Sequence, residues 1–84
     1  MDLVEIGQRL DADEQLKVKY RCFMKAGDAS PPNHVVRVDK LLDVEPERGL
    51  LFVSFADRDV IWVRMEEAIE VLPDDGIYGE AADY

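Results

Sequence analysis

HVVRVDKLLDVEPERGLLFVSFADRDVIWVRMEEAIEVL, residues 34–72, decides the fold. Runs rich in Val, Ile, Phe and Trp alternate with Asp, Pro and Gly at intervals of about ten residues, the pattern of antiparallel strands joined by tight turns. His34 to Val44 predicts a strand with Val36 and Val38 on one face. Its alternation slips where Leu41 and Leu42 stand side by side, and a bulge or bend there gives both of them apolar company. Glu45 to Gly49 (EPERG) predicts a hairpin turn: Pro46 presets φ at the second position and Gly49 takes positive φ at the end. Gly49 to Ala56 is the next strand, Asp57-Arg58-Asp59 the next turn, and Val60 to Met65 the strand after it. Glu66 to Ala68 suits one 3₁₀ turn. Ile69 to Leu72 makes a last short strand, which Pro73 and Asp74-Asp75-Gly76 stop.

Upstream, residues 15 to 26 alternate most cleanly. Leu16, Val18, Tyr20, Cys22 and Met24 fall on one face, expected to be core, and Lys17, Lys19, Arg21, Phe23 and Lys25 on the other. Gly27 to Asn33 (GDASPPN) is a loop, broken by the Pro31-Pro32 pair. Residues 2 to 10 predict a short helix. Asp2 caps it with Glu5 three residues on, and Leu3, Ile6 and Leu10 share a face. Gly7 opposes that helix, because glycine costs about 1 kcal/mol in a helix interior.

The order of elements predicts a mainly β domain, a small five-stranded antiparallel barrel of the Sm-like or SH3-like type with a short N-terminal helix. Residues 1–73 form the barrel domain and residues 74–84 an acidic C-terminal tail. In outline, the acidic charge, leading helix and five strands also resemble the small bacterial protein inhibitors of the Rho termination factor. That likeness is one of pattern over the whole chain, with no single residue carrying it.

Composition bounds the function. A chain of 84 residues is one domain, and 48% hydrophobic residues exceed what a disordered segment carries. A domain of this size buries only about 60% of its unfolded surface, so association would add needed stability. Nineteen acids against ten bases give a net charge of −9, which repels nucleic-acid phosphates and favours a basic protein partner. Cys22 is the single cysteine, so no internal disulfide forms. MDLVEIGQRLDADE lacks the pattern of a signal peptide, and no run reaches the roughly 18 apolar residues that cross a membrane. The expected location is the cytoplasm, without membrane partners.

Few residues point to chemistry. His34 is the lone histidine, with no serine or cysteine placed near it in sequence, and reads as a solvated strand-start side chain. Cys22 reads as a small core hydrophobe rather than a nucleophile. Asp57 and Asp59 lack the remaining ligands of a calcium loop, and Asp is expected in a turn for its bonds to local backbone. Catalytic residues, metal ligands and cofactors are therefore not expected. Lys17, Lys19, Arg21 and Lys25 form a basic stripe: a possible anion-binding edge, or a solvated face paired across the sheet with Asp39 or Asp43. The strands 49–56 and 60–65 are apolar on both faces, and a half-solvated sheet should alternate. Leu51, Val53, Phe55, Val60 and Trp62 are therefore candidates for an interface with a second copy or a partner. Ile77 and Tyr78 in the acidic tail join them as possible anchors. The expectation is a non-enzymatic interaction or regulatory module that self-associates and binds a basic partner. The alternative is a small barrel that takes a nucleic acid or small anion on the basic stripe.

Overall fold

The computed structural model describes residues 2–25, 32–55 and 59–81. A helix, α1 (Leu3–Asp11), opens the chain, and six strands follow: β1 (Leu16–Lys25), β2 (Pro32–Glu45), β3 (Leu50–Phe55), β4 (Asp59–Arg64), β5 (Ala68–Pro73) and β6 (Gly79–Ala81). One 3₁₀ turn, Met65–Glu67, links β4 to β5. The expected elements form close to their predicted bounds, and β6 is additional. Three residues without apolar alternation carry no strand signal; β6 exists because β2 offers it an edge.

The strands make one antiparallel sheet in the order β4-β3-β2-β1-β5, with β6 also beside β2. β2 is long enough to serve three neighbours. Residues 32–40 pair with β1, 40–45 with β3, and Val36–Val38 with β6. The register shifts between Leu41 and Asp43, where the adjacent leucines predict a bulge. No ladder joins β4 to β5 among the described residues, so the sheet is not closed and its two end strands keep open edges.

Burial follows the alternation in β1. Leu16, Val18 and Tyr20 are enclosed, with Leu41, Leu51, Val53, Val63 and Ile6 completing the core. Helix α1 lays Ile6 into this core, flanked by Leu3 and Leu10. The Asp2 carboxylate accepts a hydrogen bond from the Glu5 backbone N–H at 2.8 Å, which satisfies one of the orphan donors at the helix start. The packing also accounts for Gly7: a Cβ there would lie 3.2 Å from Val44 Cγ2, so glycine lets the helix approach β2. Gly49 ends the β2–β3 turn at φ +67°, and its carbonyl accepts from the Met65 N–H at 2.8 Å. No helix among the described residues is long and apolar enough to cross a membrane.

Three expectations need correction. First, Leu51 and Val53 are fully enclosed core residues, so they offer nothing to a partner. They lie opposite Val63 and Ile61, whereas Val60 and Trp62 fall on the other face by strand alternation. Second, Asp39 does not pair with the lysine stripe. Leu41 belongs to the core, and counting back by twos from it turns Asp39 and Arg37 to the same face, with Val36 and Val38 on the lysine side. Third, residues 74–81 are not separate from the body of the domain, since β6 adds to its own sheet.

Candidate functional site

Two surfaces stand out once the faces are assigned. The first is the outer face of the β3–β4 hairpin. Register sets Phe52 opposite Trp62, and their rings stack with centroids 4.5 Å apart and planes 23° apart. Trp62 is still 45% exposed and Val60 51%. Asp43 sits opposite Phe52 in the ladder, and exposed Asp59, Arg64 and Glu66 surround the hairpin in sequence. Beside it, a groove of about 350 Å³ opens between β1 and β4, lined by Tyr20, Cys22, Ile61, Trp62, Arg64 and Glu67. It lies at the unpaired side of β4, where further closure of the sheet would have to occur.

The second surface is the lysine side of β1. Lys17 is mostly enclosed, and its ammonium donates to Asp75 Oδ1 at 2.7 Å and to the Ile77 carbonyl at 3.4 Å. Asp75 also accepts from the Ile77 N–H, and Asp74 from the Gly76 N–H and the Tyr78 hydroxyl. These bonds fold residues 74–78 into a compact turn that carries the chain to β6. The Lys17 ammonium and the Ile77 N–H hold the Asp75 carboxyl below the usual carboxylate range. Partial burial pushes Asp74 upward, but the bonds from Tyr78 and Gly76 and the field of Lys40 outweigh it and leave that carboxyl lowered too.

On the opposite, core face lies a polar cluster. Tyr20, fully enclosed, donates its hydroxyl to Asp39 Oδ2 at 2.7 Å, and Arg37 grips the same carboxylate through Nε at 3.0 Å and Nη2 at 3.3 Å. The Arg37 guanidinium also lies 4.6 Å from the centre of the Phe55 ring, a cation–π contact. Burial, then the bond to Asp39, pushes the Tyr20 hydroxyl far above its ordinary range. The bond to Asp39 raises Arg37 as well. Cys22 lies half-buried nearby, and burial pushes its thiol up despite Arg37. This half-buried thiol also lines the groove beside Trp62.

The expected site residues are thus divided. Val60 and Trp62 share the exposed hairpin face, whereas Phe55 turns inward to Arg37. Ile77 is 70% exposed on the tail turn, and Tyr78 is half-buried against Asp74. In the stripe, Lys17 is engaged by the tail, Lys19 is half-buried and Arg21 is exposed. The side chains of Lys25, Met24 and His34, and residues Asp57 and Arg58, lie outside the described residues. Among the described residues, no three His, Cys, Asp or Glu side chains converge as metal ligands would.

Phe52, Arg37, Asp39 and Asp75 were not legible as site residues. For Phe52 a partial signal existed: the predicted turn Asp57–Asp59 is centred on residue 58 and would set Trp62 opposite Ser54, whereas the ladder is centred one residue earlier and sets it opposite Phe52. Lys17 and Asp75 had no such signal, because β1 and the turn after β5 are brought together by a ladder between strands distant in sequence. No protein-family model matches the chain, and comparison with curated proteins and with solved structures gave no match.

Proposed function

We propose that this protein is a non-enzymatic interaction module that self-associates and takes a basic protein partner through the β3–β4 hairpin. The observation that carries this reading is exposed Trp62, stacked on half-buried Phe52 and next to exposed Val60, on an end strand whose other edge is unpaired among the described residues. Exposed aromatic surface of this kind is enriched at protein contacts, and an open strand edge invites a further strand. A five-stranded Sm-like or SH3-like barrel would use the order β4-β3-β2-β1-β5, and in this reading a second copy closes it between β4 and β5. The net charge of −9 supports a basic partner and disfavours nucleic acid. A cytoplasmic setting follows from this reading. The anion-binding alternative on the stripe is weakened, because Lys17 already spends its charge on Asp75.

Light scattering tests self-association. At micromolar concentration the mass should be a whole multiple of 9.6 kDa, and Trp62→Ala should lower it without unfolding the chain. A clean monomer at high concentration sinks the reading. Steeply salt-dependent binding to generic RNA or DNA would promote the anion-binding alternative.

A further inference from the structure

The outer face of the sheet bears the basic stripe of β1 as well as Trp62, and beside the stripe lies a second candidate docking surface. The edge of β2 at Val36–Val38 is a place where a strand adds, and the chain's own β6 is the strand found there. The ladder is short, only Gly79, Glu80 and Ala81. Val36 is 2% exposed although it stands outside the main core cluster, and its ladder partner is Ala81. The approach to this edge is chemically selective. Lys17 receives a carboxylate at 2.7 Å, and Lys40 adds its field at Asp74. Lys19 and Arg21 continue the positive stripe opposite Val38 and Val36. In a chain of net charge −9, this is a local basic seat, and it holds an acidic turn that leads into the three-residue strand β6.

We infer that this seat is a strand-addition site for an extended acidic segment of a partner protein, and that residues 74–81 are its intramolecular placeholder. Backbone pairing along an open edge supplies the grip, and a carboxylate positioned for Lys17 supplies the selectivity. The partner's segment and the tail exclude one another, so binding requires β6 to leave. A tethered segment competes at an effective concentration in the millimolar range, which hides the seat from a free peptide. Three laddered residues and one ion pair whose carboxylate side chain is 55% exposed make the tail removable.

The test uses the full chain and a labelled peptide of sequence DDGIYGEA, read by fluorescence anisotropy. Gly79→Pro vacates the seat, because Gly79 sits at φ +122° and proline cannot adopt that angle. Asp75→Lys vacates it by a second route, setting like charges together at Lys17. Either variant should bind the peptide at least about tenfold more tightly than the unmodified chain, as relief from a tethered competitor requires. Adding Lys17→Glu to Gly79→Pro should abolish that gain, while Trp62 fluorescence confirms that the sheet persists. Equal peptide binding by the unmodified chain and both variants overturns the proposal. So does a concentration-dependent dimer that Gly79→Pro removes, since it would seat a second copy's tail instead of a partner.

Discussion

Lys17 and Asp75 are 58 residues apart in the chain and 2.7 Å apart in the fold. The contact joins the first strand to the turn that follows the fifth, and it buries an ammonium that sequence alone places on a solvated face. Its behaviour with pH follows from the direction of the Asp75 shift. The folded carboxyl titrates below its ordinary 3.8, so the bond contributes fully above that value and is lost as pH falls through the lower, folded one. Amide resonances of Gly79–Ala81 should stay dispersed at pH 5 and collapse only once the pH falls below 3.8. Persistence of these signals in Asp75→Asn at neutral pH would show that the ion pair does not hold the tail.

The buried cluster should show unequal costs. Tyr20→Phe removes one hydrogen bond to a charged acceptor and should cost about 1.5–3 kcal/mol in urea unfolding. Asp39→Ala strands the Arg37 guanidinium in the core and should cost about 3–5 kcal/mol. Equal losses would mean that Arg37 finds water or another acceptor.

Alkaline titration separates Tyr20 from an ordinary phenol. Its folded pKa is raised, so its contribution is complete below the unfolded value of 10.0 and declines only above it. Absorbance at 295 nm should therefore show Tyr20 ionising together with loss of the fold. The difference between the native chain and Tyr20→Phe isolates it.

Cys22 should alkylate slowly. Its thiol is pushed up by burial, so at pH 7 the thiolate fraction falls below that of free cysteine. Iodoacetamide modification followed by mass spectrometry checks this, and a rate above that of free cysteine would contradict the packing described.

Gly49→Ala should destabilise by about 1–2 kcal/mol, the cost of a left-handed conformation in an L-residue. Space around the position is open, so no clash adds to it. A thermal melt is sufficient; an unchanged midpoint would show that the turn relaxes to another form.

The strands were legible in the sequence wherever apolar residues recur at period two, as in β1 and the β3–β4 hairpin, and the helix was legible from Asp2, Ile6 and Leu10. Facing was less legible. In β2 the apolar Val36 and Val38 lie away from the main core while Arg37 and Asp39 enter it, because Leu41 fixes the parity. A polar pair can hold core positions once Tyr20 completes its hydrogen bonds, and composition cannot announce that. β6 and the Lys17–Asp75 pair depend on contacts distant in sequence, which periodicity does not encode.

The place of β1 between β2 and β5 bears on how the chain is made. β2 arrives soon after β1 during synthesis, but the other edge of β1 waits for residues 68–73. On a ribosome adding about 5–20 residues per second, that edge stays uncovered for seconds. An uncovered strand is a template for wrong pairing, and charged side chains, lysine above all, discourage it. Lys17, Lys19 and Arg21 stand on that strand. Their charge guards the nascent chain first, and only afterwards does Lys17 receive Asp75 from the turn that leads to β6.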